Sequence, residues 1–171
     1  MGIQQQTSAA YFKILNLLYY AIIAMQLITA AILVLIKKTQ EIPDSLEDKG
    51  DLIIYVLVAI VLAGILGSSF FYKSQCNKLS NLENLKAKMT GYRSIFIIRL
   101  AVLEALTFVA LVVFLLTGNL VILAIAGFVL IYSLKLRPVK HSIIRDLNLS
   151  STEIARLEDP NEIIAEFESG E

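Results

Sequence analysis

Cysteine and histidine are almost absent from this chain, and charged residues are few. The sequence contains one cysteine, Cys76, and one histidine, His141, and charged residues make up 18% of its 171 positions. A lone cysteine cannot form a disulfide within the chain, and these two residues, in different sequence contexts, do not make a zinc site. We therefore expect no disulfide, no metal centre, no cofactor and no enzyme of the Ser-His-Asp type. We rank a membrane enzyme of any other kind last.

The hydrophobic content is high for a soluble protein. Hydrophobic residues make up 57% of the chain and the mean hydropathy is +0.71, whereas soluble domains carry about 25% charged residues and only short apolar runs. The 15 basic and 15 acidic residues cancel, so no overall field favours nucleic acid. We predict a membrane protein whose first partner is the lipid bilayer.

Four apolar segments are long enough to be candidates for membrane spans. A helix of about 20 apolar residues crosses a hydrocarbon core roughly 30 Å thick, and lipid forces the backbone to satisfy its own hydrogen bonds. The predicted spans are about 14–36, 52–72, 94–116 and 120–135. The predicted fold is all-α: a polytopic four-helix transmembrane bundle over 14–135, after an N-terminal segment at 1–13 and before a tail at 136–171.

Basic residues predict the orientation of these spans, because Lys and Arg concentrate on the cytoplasmic side. The connection between spans two and three carries Lys73, Lys78, Lys86, Lys88 and Arg93, and the stretch after span four carries Lys135, Arg137, Lys140 and Arg145. The loop from Lys37 to Asp51 is rich in acids, and the turn at 117–119 is uncharged. We expect a bacterial inner-membrane protein with both termini in the cytoplasm.

The cytoplasmic tail contains two helix-start signals. Ser150 is followed three residues later by Glu153, and Asp159-Pro160 is followed by Glu162, as in a capping box with proline at the first helical position. We predict two short helices, the second with Ile163, Ile164 and Phe167 on one face. That face could pack on its own chain or bind a partner, and the sequence favours neither.

Glu104 is the residue with the strongest functional signal. It lies about 15 Å along span three from Ser94 and so close to the bilayer midplane, where a charge costs about 2.5 to 3.5 kcal/mol. Such acids usually serve a function, although a structural role in hydrogen bonding is the main alternative. Arg99 is five residues away, about 140° around the helix, so the two do not pair within one helix. Arg99 either extends to the headgroups or pairs with Glu104 of another helix or subunit.

Polar and small residues on spans one to three could surround Glu104. The candidate ligands of a bound ion are Glu104 itself, Gln26 on span one, Ser68 and Ser69 on span two, and Thr107 on span three. Thr29 on span one is a further polar group available to hydrogen-bond an acid. Small residues that permit close helix packing recur along span two, at Ala59, Ala63, Gly64 and Gly67. Each polar residue alone is more often an interhelical hydrogen-bonding group than a ligand.

The segment 98–113 resembles the carboxylate helix of rotary ATPase proteolipids, the c-subunit family. The matched residues are Glu104 and Ala105 followed by Leu111, Val112 and Val113, and the family likeness implies that Glu104 carries a proton or a sodium ion. The resemblance covers spans two and three. Span two lacks the Gly-x-Gly-x-Gly run of that family.

The order of features over the whole chain resembles a group of small four-span bacterial membrane proteins. The segments that carry this likeness are Tyr92-Arg93-Ser94 before Glu104, the Thr117-Gly118-Asn119 turn, and residues 136–140 leading into Asp146. The likeness implies fold and location and no activity.

Two functions follow as hypotheses. In the first, an oligomeric membrane protein binds a proton or cation at Glu104 for transport. In the second, the chain is a structural or accessory subunit of a membrane complex, its partners being further copies or other membrane subunits, and Glu104 holds helices together.

Overall fold

The computed structural model describes residues 2–39 and 50–169, and most of them are helical. The elements in order are β1 (Gly2–Thr7), α1 (Ser8–Thr39), α2 (Gly50–Ser80), α3 (Leu85–Thr117), α4 (Leu120–Leu134), α5 (Lys140–Asp146), α6 (Ser151–Glu158) and β2 (Ile163–Ser169). The predominantly α-helical fold predicted from the sequence is therefore confirmed. The predicted acidic outer loop falls mainly on 40–49, outside the described residues.

Three helices are long and apolar enough to cross a membrane. These are α1 and α3, and α2 from Asp51 onward, and each exceeds the roughly 30 Å of a hydrocarbon core at about 1.5 Å per residue. They also extend beyond the predicted spans, so that only residues 81–84 connect α2 and α3. The fourth apolar helix, α4, has 15 residues and rises only about 22 Å.

The turn between α3 and α4 has the geometry that its sequence predicts. Gly118 has φ 65°, a left-handed conformation that glycine adopts without strain, and its N–H donates to Phe114 O at 2.8 Å. The side chain of Asn119 then caps α4 by accepting from Val121 N at 2.9 Å. The predicted tight hairpin is thus formed by glycine and an N-cap asparagine.

The contacts divide the chain into two units. The apolar unit comprises residues 20–68 and 100–136, and the terminal unit comprises residues 1–19, 69–99 and 137–171. Helices α1, α2 and α3 contribute residues to both.

The apolar unit has a core of aliphatic and aromatic side chains from α2, α3 and α4. Leu103, Ala110 and Leu111 of α3 and Ile122 and Val129 of α4 are almost fully buried in it. Many other large apolar side chains point outward, with Tyr55 74% and Leu120 73% exposed. An outward apolar surface of this extent is typical of helices in contact with lipid.

The small residues of α2 divide between two environments. At Gly64 an added Cβ would lie 2.6 Å from Leu106 Cδ1, so α2 and α3 pack closely there. Ala59, Ala63 and Gly67 are exposed, and nothing lies within 4 Å of a Cβ added at Gly67. The predicted packing face is therefore used at Gly64, and its other three residues face outward in the single chain.

The terminal unit joins the beginning of α1 to the tail. Ser8 N donates to Glu162 O at 2.9 Å and Ser8 Oγ donates to Leu157 O at 2.6 Å. Tyr11 Oη, on the next turn, donates to Met89 O of α3 at 2.8 Å. The bond from Ser8 N, with a second from Ala9 N to Pro160 O at 3.2 Å, satisfies first-turn N–H groups of α1 that have no partner within the helix.

The end of the tail forms a strand, so the second predicted tail helix is wrong. Asp159 accepts from Asn161 N at 2.9 Å, a local turn that uses the side chain expected to cap a helix. Residues 163–169 then pair antiparallel with β1, from Gly2 opposite Ser169 to Thr7 opposite Ile163. The β-branched isoleucines favour this strand, and Ile164 and Ala165 are fully buried in it.

The first predicted tail helix is confirmed as α6. Ser150 Oγ accepts from Glu153 N, and Glu153 Oε2 accepts from Ser150 N at 2.8 Å, which is the reciprocal capping box expected from the sequence. Glu153 also pairs with Lys88 of α3, Nζ to Oε1 2.8 Å. This pair joins α6 of the tail to α3 of the same chain.

Candidate functional site

Glu104 lies on one face of α3 with three other residues that line a small cavity. Thr107, Phe108 and Leu111 follow it at the spacing that places side chains on one side of a helix, and Gln26 and Thr29 of α1 line the opposite wall. The cavity has a volume of about 30 Å³. Glu104 is half-buried, and within the described residues its side chain has no ion pair or hydrogen bond.

Gln26 is the second polar residue of this cavity and the more completely buried one. Its side chain is 3% exposed, and neither Oε1 nor Nε2 has a hydrogen-bond partner within the described residues. It lies on the face of α1 that carries Ala30 and Leu33, which pack on the apolar core. Leaving a buried polar group unpaired costs about 1 to 3 kcal/mol. We therefore expect this amide to form a hydrogen bond with a molecule or ion bound in the cavity.

Thr107 contributes an acceptor to the cavity. Its side chain is buried and Oγ1 donates to Leu103 O of the preceding turn at 3.0 Å. Because the only hydroxyl proton is used within α3, the oxygen offers lone pairs and no donor.

The remaining predicted ligands lie elsewhere. Ser68 is buried and its Oγ donates to Ile65 O of its own helix at 3.0 Å. Ser69 Oγ accepts from Arg99 Nη2 at 3.4 Å. Neither serine lines the cavity, so of the residues proposed from the sequence the structure brings together Glu104, Gln26, Thr29 and Thr107.

Arg99 contacts α2 within the terminal unit. Its guanidinium lies over the ring of Tyr72, with Cζ 4.4 Å from the ring centroid, in addition to its contact with Ser69. A cation over an aromatic face is stabilised by the ring quadrupole. This stacking on Tyr72 was not predicted from the sequence.

Tyr72 also belongs to a chain of hydroxyl groups that sequence reasoning missed. Its Oη donates to Asp146 Oδ2 at 2.8 Å and lies 3.1 Å from Tyr92 Oη. Since each hydroxyl has one proton, Tyr92 donates to Tyr72, which donates to Asp146. These residues are 20 and 74 positions apart, and no local pattern connects them.

Glu153 and Glu166 of the terminal unit are each paired with a lysine, unlike Glu104. Burial works to raise the pKa of the Glu153 carboxyl, but the hydrogen bonds from Lys88 and Ser150 outweigh it and hold the pKa below its usual range. A hydrogen bond from Lys86, Nζ to Oε1 2.6 Å, likewise lowers the pKa of Glu166. The Lys86–Glu166 pair is partly exposed, with side chains 29% and 37% exposed. In the other pair, Lys88 is only 5% exposed.

Charges in the apolar unit are few and lie near helix ends. Besides Glu104, its described charged side chains are Lys37, Lys38, Asp51 and Lys135. None of these lines the cavity. The cavity therefore combines one carboxylate, one unpaired amide and two threonine hydroxyls, a set able to bind a proton or a small monovalent cation.

No protein-family model matches the chain, and no curated protein or solved structure matches it.

Proposed function

We propose that this chain is a multi-pass protein of a bacterial inner membrane in which Glu104 reversibly binds a proton or a monovalent cation during transport. The observation that carries the proposal is the cavity shared by Glu104 and the unpaired amide of Gln26. An ionised carboxylate at the depth expected for Glu104 costs about 2.5 to 3.5 kcal/mol. Binding of a proton or cation removes that charge and gives the buried amide a partner.

The proposed topology has four crossings with both termini in the cytoplasm. Strands β1 and β2 pair in one sheet, so the two ends of the chain share one side of the bilayer. An even number of crossings is then needed between them. The three long helices supply an odd number, and α4 is the apolar helix that makes it even.

Cysteine accessibility tests this topology. In a Cys76→Ser background, we expect Asn119→Cys to react with an impermeant maleimide in intact spheroplasts and Gln5→Cys to react only after lysis. The basic residues near 86–93 and 135–145 predict the same orientation. Labelling of Gln5→Cys from outside, or of Asn119→Cys only after lysis, contradicts it.

Ion coupling is tested with Glu104→Gln in proteoliposomes. We expect the variant to lose potential-driven proton or sodium uptake while expressing and inserting normally, because glutamine keeps the shape and removes the titrating group. Asp51→Asn is the matched control, since Asp51 is the other described acid of the apolar unit, and it should retain uptake. Unchanged flux in Glu104→Gln ends the proposal.

The exposed small residues of α2 favour a second role, as a subunit of a membrane assembly. Ala59, Ala63 and Gly67 permit a close approach of another helix and are exposed in the part of the chain that the structure describes. Truncation of the tail would not test this role cleanly, because the tail is packed into the terminal unit. Instead, Ala63→Leu with Gly67→Leu should release a stoichiometric partner or second copy from native membranes. Retention of that partner, or its absence in the unmodified protein, contradicts this role.

A further inference from the structure

We infer that the open edge of β1 pairs with β1 of a second copy of this chain, so that two copies share one four-stranded antiparallel sheet. The inference rests neither on Glu104 nor on the outward face of α2. It comes from the hydrogen bonds between β2 and α3, which show which backbone groups of β1 remain available.

Thr90 of α3 takes the place of a neighbouring strand beside β2. Its hydroxyl donates to Glu166 O at 3.0 Å and accepts from Glu166 N at 3.4 Å. Both backbone groups of Glu166 therefore point away from β1. Glu166 lies opposite Gln5 in the register, so these two residues form a pair that exchanges no backbone hydrogen bonds.

The alternation of an antiparallel ladder then determines where the backbone groups of β1 point. Gln4 and Gln6 exchange hydrogen bonds with β2, whereas the N–H and C=O groups of Ile3 and Gln5 point away from β2. Gln5 is exposed, and its backbone has no partner outside β2 in the part of the chain that the structure describes. β1 thus presents two N–H and two C=O groups along one open edge.

This open edge is complementary to itself. When two antiparallel copies of β1 meet about a two-fold axis at Gln4, Ile3 of one copy lies opposite Gln5 of the other, and four backbone hydrogen bonds form. The strand has the sequence GIQQQT, which contains no charge and no proline. It therefore lacks the residues that commonly prevent the pairing of edge strands.

Pairing through β1 closes the assembly at two copies. In each copy Thr90 occupies the outer edge of β2 at Glu166, so the shared sheet offers no further edge of β1 to a third copy. The sheet of one copy has two strands, and two strands alone are marginally stable in water. The dimer doubles the number of strands.

The membrane brings a second copy to this edge. Copies inserted in one orientation hold β1 on the same side of the bilayer, and confinement to that surface raises their effective concentration. A strand of six residues buries little surface, and small interfaces are weak. We therefore expect the dimer in the membrane and its dissociation on dilution in detergent.

Disulfide crosslinking in proteoliposomes tests the pairing and its register. In a Cys76→Ser background, Gln4→Cys lies on the axis, where the paired Cα atoms are about 4.5 Å apart, within the range that a disulfide spans. We expect oxidation to link two copies of Gln4→Cys about tenfold faster than either control variant, because only this pair has the geometry of a disulfide. Non-reducing electrophoresis measures the rate.

Two control variants distinguish pairing from collision. Gln6→Cys is on the same strand, but its two copies are four residues apart along the ladder, about 14 Å, too far for a disulfide. Ser74→Cys is exposed on α2 and reports random encounters. A rate at Gln4→Cys no higher than at Ser74→Cys, or a faster reaction at Gln6→Cys, overturns the inference and leaves the proposed function of Glu104 untouched.

A proline at Gln5 supplies an independent measurement. Gln5→Pro removes an N–H that points away from β2, so the β1–β2 ladder is kept while the open edge loses a donor. Combined with Gln4→Cys, it should lower crosslinking to the rate of random encounters. Gln5→Thr is the matched control and should retain crosslinking, because threonine keeps the N–H and favours strands. Unchanged crosslinking in a Gln5→Pro variant with an unaltered unfolding temperature contradicts the pairing.

Discussion

Polar side chains are paired in the terminal unit to a greater extent than in the apolar unit. In the terminal unit, groups far apart in sequence pair with one another, as in Tyr72 with Asp146 and Lys88 with Glu153. Unpaired oxygens occur there singly, at Gln6 and Asn16 for example, whereas Gln26 of the apolar unit is the only described residue with both polar atoms buried and unpaired. Paired polar groups stabilise the fold, whereas a buried amide without any hydrogen-bond partner indicates a binding site for an ion or small molecule.

The largest effect on stability is expected at the buried pair of the terminal unit. Lys88→Met leaves Glu153 mostly buried without its cation, and breaking such a pair costs about 3 to 5 kcal/mol. The exposed pair offers a matched control, because Lys86→Met removes the partner of Glu166, whose side chain is 37% exposed, and should cost less than about 1 kcal/mol. Denaturant unfolding in detergent measures both, and equal costs would contradict the distinction between the two pairs.

A smaller effect is expected where the apolar unit packs most closely. Gly64→Val places a side chain against Leu106 and should lower the free energy of unfolding by about 1 to 3 kcal/mol through overpacking. Gly67→Val, three residues on in the same helix, enters open space and should change it by less than about 0.5 kcal/mol. Thermal unfolding of the two variants compares them. A larger loss at Gly67 would show that the outward face is already covered.

The pairing of Glu153 also predicts a pH dependence. Its pKa is lowered in the folded state, so its contribution to stability is present above the unfolded pKa of about 4.3 and is lost as pH falls through the folded value. The stability difference between the unmodified protein and Glu153→Gln should therefore be greatest near neutral pH and shrink in acid. A difference that grows on acidification would mean that Glu153 folds protonated.

The smallest effect is expected at the cap of α6. Ser150→Ala removes the hydroxyl of the capping box and should cost about 1 kcal/mol, measured by the same unfolding assay. Ser151→Ala, one residue later, is the control because Ser151 is the first helical residue and not the cap. Equal losses at the two serines would contradict the role of the box.

The features that the sequence predicts correctly are those encoded locally. Long apolar runs predict the three long helices, Gly118 and Asn119 predict the turn, and Ser150 with Glu153 predicts α6. For the cavity, polar residue type and position within the apolar spans single out Glu104, Gln26, Thr29 and Thr107 as candidates. Ser68 and Ser69 have the same hydroxyl chemistry but lie on α2. Because α1 and α3 form the cavity, only their packing shows that these two serines are not part of it.

The features that sequence reasoning misses depend on distant partners. Residues 159–162 carry a helix-start signal, yet residues 163–169 form a strand because β1, more than 150 positions earlier, is available to pair. A two-stranded sheet is marginal alone. Contacts with α3 support it, including Thr90 Oγ1 to Glu166 O at 3.0 Å and Arg93 over the ring of Phe167. Neither strand is recognisable without the other.

The pairing of the two terminal strands also dictates the order in which the chain can mature. β1 is synthesised more than 150 positions before β2, the strand with which it pairs, so the apolar helices between them are made while the first strand still lacks its hydrogen-bonded partner. The sheet can form only after residues 163–169 have left the ribosome. A product that stops short of residue 163 would expose an unpaired strand edge at its amino end, a mark by which proteolysis could distinguish unfinished chains from finished ones.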